Sequence, residues 1–384
     1  MFIIIVLLAI MGLIGTDIFV PSLPAIAEIY HQSPNHAQLT ISVFLAGFAL
    51  SQLFYGPISD AVGRKPPLIV GVIIFICGSL LCIFAPSFSL LCIGRIIQGF
   101  GVGAGLSLAR VILRDCYKDT LLAVKTAQIA IFVSLTPALA PFFGGLLQQQ
   151  FGFQASFVFM LGYGLLVLFL LMTRFQETLQ FKNPDQAIHT ILVQYGQLLR
   201  NTAFMKYAII AGLAFTSIIL YANIMPFIVQ SELNLSPAKN GLIILIAALG
   251  ISLGSFISSR AVRHVLPKQL IHVGLMIFAI NGLLLLVANY IFGTTLVCLV
   301  PLIFLITMAC GFIFPNAIAL CFSEINCHVG IAGAIYGSMQ TFISMLANFL
   351  LNAIPHQGQA LLGAFYLGIG LMGLALKRDR VGIY

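Results

Sequence analysis

Two charged side chains lie deep inside long apolar stretches of this sequence. Asp17 follows sixteen uncharged residues, and Arg95 lies within the apolar stretch 89–110. An ionisable residue near the middle of a membrane helix costs about 2.5–3.5 kcal/mol on insertion scales, so such residues are candidates for function. Asp17 is the only acid near the middle of an apolar stretch. We therefore expect Asp17 and Arg95 to couple transport to protons, with Asp17 carrying the proton.

The two charges are expected to lie at similar depths. Asp17 precedes Glu28, at the outer end of the first apolar stretch, by 11 residues, which is about 16 Å of helix. Arg95 lies about 9 Å below the same surface on this scale. An arginine side chain can bridge the difference of about 7 Å. A static buried ion pair with no role in transport is the alternative.

The composition around these charges excludes a soluble protein. A soluble chain has charges at about a quarter of its residues, whereas this chain of 384 residues is 7% charged and 60% hydrophobic. The net charge of +8 is spread thinly over the chain, so no nucleic-acid partner is expected. The expected surroundings are the lipid bilayer. No cysteine or histidine spacing indicates a metal site or a cofactor.

The apolar stretches predict an all-α polytopic membrane protein with twelve transmembrane helices. The polar stretch 174–203 divides them into a six-helix half, 1–173, and a second six-helix half, 204–384, with a short tail. Without the tail the halves are 1–173 and 204–376, each 173 residues long, and this equality suggests an internal duplication and pseudo-symmetry. The predicted spans are 2–28, 37–59, 68–86, 89–110, 124–147, 154–173, 204–230, 239–259, 270–291, 294–316, 330–352 and 359–376.

The basic residues predict the orientation. If 174–203 is cytoplasmic, only Lys239 and Arg95 of the 18 Lys and Arg residues fall elsewhere, leaving 16 on that side. This bias predicts a multi-pass protein of the bacterial inner (plasma) membrane with both termini in the cytoplasm. The first span begins directly at Met1 without the basic region or cleavage site of a signal peptide. A start codon assigned downstream of a short basic tail would also explain that beginning.

Residues 99–105 read Gly-Phe-Gly-Val-Gly-Ala-Gly and formally match a dinucleotide-binding fingerprint. That fingerprint needs a preceding strand in a soluble βαβ unit, so we reject it. Glycines four residues apart in a membrane helix instead predict close helix packing.

A second group of small residues lies in the fifth span. Pro137 and Pro141 are expected to bend this helix, and Gly144 and Gly145 let another helix approach. The four residues form either a plain kink or a hinge on which the two halves rock.

The loop 56–66 contains charges that a simple turn does not need. Gly63 serves the turn, and Arg64 and Lys65 are explained by anchoring at the cytoplasmic face. That explanation does not cover Asp60. Arg64 could pair with Asp115, at the cytoplasmic end of the fourth span.

Several motifs resemble those of the major facilitator superfamily. They are Gly56–Pro66 between the second and third helices, Leu91–Gly101 in the fourth, Ala140–Gly145 as the fifth-helix antiporter motif, and Ile14–Pro24 as the first-helix motif of twelve-helix drug/proton antiporters. Three stretches are similar to the Bcr/CflA (bicyclomycin/chloramphenicol resistance) branch: Asp17–Pro24, Leu45–Gln52 and Arg110–Asp115. The second-half copy of the loop motif, Gly254–Arg263, has Ser258 where Asp60 would be.

The resemblance implies the major facilitator fold and a monomeric exporter of small amphipathic compounds or drugs, driven by proton antiport through alternating access. It implies that Asp17 exchanges protons and that Arg95 tunes it. The resulting cytoplasmic gate comprises Gly56, Asp60, Gly63, Arg64, Lys65 and Asp115. The hinge comprises Pro137, Pro141, Gly144 and Gly145.

A mostly apolar cavity with a few polar groups is expected between the halves. Its candidate residues are Thr16, Phe44, Gln98, Gln128, Tyr221, Asn223, Tyr336 and Gln340. Each could instead serve ordinary packing or an interhelical hydrogen bond. A dedicated metabolite transporter on the same fold is the alternative function. An enzyme is not expected, because His272 is the only histidine well inside a span and has no evident catalytic partner.

Overall fold

The computed structural model describes residues 1–179, 188–323, 329–354 and 358–377. Within these residues all regular secondary structure is helical. The predicted C-terminal tail and residues 180–187 of the predicted central loop lie outside the described residues. The helices are α1 Phe2–Asp17, α2 Leu23–Ile29, α3 Pro34–Val62, α4 Lys65–Ile83, α5 Phe88–Cys116, α6 Asp119–Phe151, α7 Gln154–Thr173, α8 Ile188–Arg200, α9 Thr202–Pro226, α10 Pro237–Ala261, α11 Pro267–Phe292, α12 Leu296–Phe322, α13 Val329–Asn352 and α14 Gln359–Lys377.

Twelve helical segments among the described residues are long and apolar enough to cross a membrane, which confirms the predicted number of spans. The first span consists of α1 and α2 joined by a 3₁₀ turn, Val20–Ser22. Helices α3 to α7 are the second to sixth spans, and α9 to α14 are the seventh to twelfth. The chain is therefore an all-α, multi-pass membrane protein.

Several helices run further than their apolar stretches predict, among them α6, which extends from Asp119 to Phe151 rather than from 124 to 147. The fourth span continues from the predicted end at 110 to Cys116, and the tenth from 316 to Phe322. Hydropathy detects only the part that lies in hydrocarbon, whereas backbone hydrogen bonds continue a helix into water. The sequence also treats 174–203 as a loop, yet α8 lies within it, and its Tyr195 donates to the Leu53 carbonyl of α3 at 3.0 Å.

The first span is interrupted just after Asp17. Pro21 and Pro24 have no backbone N–H, so the carbonyls of Asp17 and Val20 cannot accept helical hydrogen bonds from them. Side chains from three other helices bind carbonyls around this break: Arg95 binds Gly15 at 3.0 Å, Ser156 binds Ile18 at 3.4 Å, and Gln230 binds Pro21 at 2.9 Å. These three side chains thus hold the break in place in this conformation.

The glycines of 99–105 bring α5 against three neighbours. Gly99 and Gly103 face α3, Gly105 faces α1, and Gly101 faces α4. A Cβ on Gly101 would lie 2.5 Å from the backbone nitrogen of Phe75. The close packing predicted from the glycine spacing is confirmed.

The two ends of the bundle differ in how tightly they are closed. We call the end that holds the α3–α4 turn and the last turns of α5 the basic end, after Arg64, Arg110 and Arg114. At the opposite end, α6 lies directly against α10, where a Cβ on Gly241 would lie 2.7 Å from the Pro141 carbonyl oxygen. The basic end instead contains a large cavity.

Candidate functional site

Asp17 lies buried at the break in the first span, as the last residue of α1. It faces a small cavity of about 20 Å³ that it shares with Pro137 and Pro141 of α6, Tyr221 of α9 and Thr307 of α12. Most of the other lining residues are aliphatic. Among the described residues, no side chain or backbone group pairs with the Asp17 carboxylate. The space suffices for a single water molecule beside the carboxyl group.

Arg95 is fully buried on α5 and is surrounded by partners. Its Nη1 donates to the Gly15 carbonyl at 3.0 Å and to Gln98 Oε1 at 2.8 Å, and its Nε donates to the Thr40 carbonyl at 3.3 Å. The guanidinium lies 4.0 Å from the ring centre of Phe19 and 4.2 Å from that of Phe44. Because Gly15 is in the last turn of α1, the cation also lies at the negative end of that helix dipole.

The structure does not bring Arg95 and Asp17 into the ion pair that the depth arithmetic allows. The Arg95 side chain does reach the same part of α1, since it binds the carbonyl of Gly15, two residues before Asp17. Residues two apart on a helix point about 200° away from each other. Depth alone therefore gives the right level in the membrane but not the direction in which each side chain points.

A second cavity, of about 710 Å³, lies at the basic end. It is enclosed by α1, α3, α5 and α6 on one side and by α12 and α13 on the other. Its polar lining residues are Gln52, Ser107, Arg110, Arg114, Thr126 and Tyr336. Arg110 and Arg114 are four residues apart and share one face of α5. The sequence marks them as a motif, but only the extension of α5 shows that they face a cavity.

Two of the eight predicted cavity residues line one of these spaces. Tyr336 lies at the large cavity and Tyr221 at the small one beside Asp17. Asp17 is not among the residues that line the large cavity.

The other six predicted cavity residues lie outside both cavities: Thr16, Phe44, Gln98, Gln128, Asn223 and Gln340. Phe44 and Gln98 hold Arg95. Thr16 donates to the Gly12 carbonyl at 2.8 Å, and Asn223 is buried against Asn348. Gln128 is exposed and accepts from Lys125, and Gln340 is half-buried. The polar groups of Thr16, Gln98, Gln128 and Asn223 thus serve local structure, as polar side chains in membrane helices commonly do.

The predicted gate residues are gathered at the α3–α4 turn around Arg64, which is 5% exposed. Its Nε donates to Asp115 Oδ2 at 3.0 Å, and its Nη1 donates to Asp60 and, at 2.7 Å, to Ser59 Oγ. Ser59 in turn donates to the Gly56 carbonyl. Burial alone would lower the pKa of Arg64, but the hydrogen bonds and charges of Asp60 and Asp115 raise it above its usual value.

Glu177 completes this network, and no sequence signal identifies it. Its carboxylate accepts from the backbone N–H of Arg64 at 2.8 Å and of Lys65 at 3.1 Å, at the beginning of α4. Lys65 Nζ donates to the Phe175 carbonyl at 2.9 Å, and Thr178 donates to Asp115 at 3.2 Å. The segment after α7 is therefore tied to the α3–α4 turn.

The predicted hinge residues lie where α6 meets two other elements. The helix continues through Pro137 and Pro141, which both line the Asp17 cavity. Gly144 lies against the Ile18 carbonyl at the break, and a Cβ on Gly145 would lie 3.0 Å from the Pro237 carbonyl carbon of α10. These residues thus join the break in the first span to α10.

Comparisons with known proteins agree on the family. Residues 5–351 match the model of the Major Facilitator Superfamily. The chain is 30% identical over 370 residues to multidrug resistance protein MdtL of Klebsiella pneumoniae (strain 342), covering 94% of this chain and 91% of that protein. It is 28% identical over 372 residues to multidrug resistance protein D of Escherichia coli (strain K12), covering 96% and 92%.

The fold is also that of a solved transporter structure. The crystal structure of a D-xylose-proton symporter matches with a TM-score of 0.79 over 98% of this chain and 96% of the other, at 16% sequence identity. At that identity the likeness concerns the fold alone, and it confirms the predicted fold. The chain therefore belongs to the Major Facilitator Superfamily, and it is a transporter of small molecules rather than an enzyme.

Proposed function

We propose that this chain exports small amphipathic compounds or drugs across the bacterial inner (plasma) membrane in exchange for protons. In this proposal the protein acts as a monomer, with the basic end and both termini facing the cytoplasm. Residues 1–173 rock against residues 204–384 and open the sites between them to either side. The names of its relatives favour drugs as cargo. Its first-span and fourth-span motifs favour the Bcr/CflA branch.

The observation that carries the proposal is the position of Asp17. The carboxyl group is 5% exposed and lies at a helix break between α6 of the first half and α9, α10 and α12 of the second. A charged carboxylate without a partner is costly in such apolar surroundings. Gain and loss of its proton would therefore accompany the rocking movements that open this small cavity to either side.

Arg95 would act on Asp17 through α1 rather than by contact. Its guanidinium holds the Gly15 carbonyl, two residues before Asp17. A movement of the break would change the distance between the two charges, and with it the ease with which Asp17 loses its proton. Arg95 is therefore a positioning residue in this proposal.

The two ends of the bundle support a cytoplasm-facing arrangement. The cavity of about 710 Å³ lies at the basic end, while α6 and α10 touch at the other. The network around Arg64 would stabilise one position of the gate, and the prolines and glycines of α6 would be the hinge.

Replacement of Asp17 by Asn tests the proton site. We expect D17N to reduce pH-driven uptake of a fluorescent amphipathic drug into everted membrane vesicles to background, because Asn cannot release a proton. The control is Glu28→Gln, which also replaces a carboxylic acid by its amide, but at an exposed residue at the end of the bundle opposite the basic end. Normal pH-driven transport by D17N, at equal protein level, would contradict the mechanism.

A compound panel tests the cargo. Expression in an efflux-deficient bacterium should raise resistance to several amphipathic drugs, and D17N should abolish that effect. No change for any drug, together with accumulation of one metabolite on deletion, would favour a dedicated metabolite transporter instead.

A further inference from the structure

The large cavity at the basic end contains positive charge that nothing in the described structure neutralises. Arg110 and Arg114 both line it, and both are exposed to it. Neither forms a hydrogen bond or ion pair with a described residue. No acidic residue is among those that line the cavity.

The nearest acid in the sequence is already engaged. Asp115 follows Arg114 directly, but its carboxylate accepts from Arg64 Nε at 3.0 Å and from Thr178 at 3.2 Å. The charge on Arg114 therefore gains no direct partner from its neighbour. Arg110 and Arg114 also repel one another along α5, because they lie four residues apart.

A buried hydroxyl group without a partner lies in the same cavity. Tyr336 of α13 lines the cavity and is 1% exposed, and its hydroxyl oxygen makes no hydrogen bond with a described residue. Its ring is fixed against Phe322 of α12, with 6.1 Å between ring centres. Arg110 lies within electrostatic range of this hydroxyl. Buried hydroxyl groups are normally satisfied, so this one indicates a missing acceptor.

We propose that this cavity binds the anionic group of the transported compound, a carboxylate or a phosphate-type oxyanion. Arg110 supplies the opposite charge and can bind such a group in a bidentate manner, and the Tyr336 hydroxyl donates a second hydrogen bond. Most of the remaining lining, including Leu106, Ile129 and Val133, is apolar and accommodates a hydrophobic body. The cargo class is thus an amphipathic anion. This inference rests on the proposed export function.

Anchoring at the membrane surface explains other arginines at this end but not Arg110. Arg260 of α10 is exposed, lies outside the cavity lining and stacks on Phe256, with 5.0 Å to the ring centre. Such a residue can reach lipid headgroups. Arg110 instead shares its cavity with Gln52 of α3 and Tyr336 of α13.

Binding of a matched pair of compounds tests the assignment. Full-length protein in phosphatidylcholine nanodiscs is titrated with naphthoate and with naphthamide, which share a ring system and differ in charge. The chain has no Trp and so adds no indole emission to the naphthyl fluorescence that reports binding. We expect naphthoate to bind at least about tenfold more tightly, as a charge-assisted hydrogen bond allows. Equal affinities would overturn the proposal.

Four variants test which residues cause the preference for naphthoate over naphthamide. Arg110→Gln should abolish it, Arg110→Lys should restore part of it, and Tyr336→Phe should reduce it about threefold to tenfold. Arg260→Gln, with the same loss of charge outside the cavity, should retain it. A preference unchanged in Arg110→Gln would overturn the proposal, and a preference lost equally in Arg260→Gln would do so too.

A lipid phosphate is the other source of the same chemistry. In nanodiscs with added phosphatidylglycerol, naphthoate should bind as before. Loss of naphthoate binding there would assign the site to a lipid headgroup and overturn its assignment to cargo. The D17N variant should keep the naphthoate preference, because binding needs no proton exchange. A failure of proton coupling is therefore distinguishable from a failure of this proposal.

Discussion

The connection between α3 and α4 and its counterpart between α10 and α11 join similar helices by different chemistry. In the first, only Gly63 and Arg64 separate the helices, and Gly63 has a φ of 106°. In the second, five residues, Val262–Leu266, do so. By the spacing of the loop motif, Ser258 stands at the place of Asp60 and Val262 at the place of Arg64.

The two connections also differ in their charged residues. Arg64 joins Asp60 and Asp115 in the first connection, and Glu177 is attached to the same turn. In the second, Ser258 accepts from Asn316 at 2.8 Å, and no described residue there forms an ion pair. The tight turn thus places an arginine between two helices, whereas the longer connection needs no such group.

Loss of the central arginine should have the largest effect. Arg64→Gln removes the partner of Asp60 and Asp115, and we expect a loss of about 2 kcal/mol or more in the free energy of unfolding. The gate position that Arg64 stabilises loses these interactions too, and a loss of about 1.4 kcal/mol would lower its population about tenfold, so transport should fall by about that factor. Thermal unfolding in detergent and vesicle uptake measure the two effects.

The second connection offers a matched control for that variant. Arg263→Gln makes the same change in the longer connection, where a surface substitution should cost less than about 0.5 kcal/mol. Equal losses in the two variants would remove the distinction between the connections.

The turn glycine should have a smaller effect. Gly63→Ala places a Cβ on a residue with a φ of 106° and 2.6 Å from Glu177 Oε2. We expect a cost of about 1–2 kcal/mol, because an L-residue is strained in this conformation. The control is Ala261→Gly, since Ala261 stands at the corresponding place at the end of α10, and it should cost at most about 1 kcal/mol. Unchanged thermal stability in Gly63→Ala would show that the tight turn is not required.

Much of the fold could be predicted from the sequence because hydrocarbon thickness imposes a length on apolar stretches. The same signal misses α8, which does not span, and the last turns of α5, which lie beyond the apolar stretch. The direction in which each side chain points was harder to predict than the position of the helices. The carboxyl of Asp17 and the carbonyl that Arg95 binds lie two residues apart, and hydropathy does not report the angle around the helix.

A contact between distant segments could be predicted where charges marked both partners, as for Arg64 and Asp115, but not otherwise. Residue types indicated Asp60, Arg64 and Asp115, because an acid and a base in a short loop need an explanation. Glu177 is one acid in a polar stretch, and its contact with the Arg64 backbone depends on how the chain leaves α7. Tyr336 was predicted for the cavity and faces one, whereas Gln98 was needed to satisfy Arg95.

The smallest expected effect concerns Glu177. Burial would raise the pKa of its carboxyl group, but hydrogen bonds from the backbone N–H groups of Leu179, Arg64, Lys65 and Thr178 hold that pKa below the ordinary value of 4.5. Because the folded-state pKa is depressed, the carboxylate's contribution is complete above the ordinary value. It is lost as the pH falls through the lower, folded-state value. The attachment should therefore persist at neutral pH and weaken only in acid.

Amide hydrogen exchange at Arg64 and Lys65 reads this attachment directly, since both N–H groups donate to Glu177. In the wild type, protection should be constant from about pH 5 to pH 8 and decrease below the ordinary Glu pKa. In Glu177→Gln it should be lower and nearly independent of pH, because the amide keeps an acceptor oxygen but cannot titrate. Asp119→Asn, a change at another exposed acid, at the beginning of α6, should leave it unaltered. If Glu177→Gln kept the wild-type profile, the α3–α4 turn would be held by Arg64 alone, and the segment after α7 would have no part in the difference between the two connections.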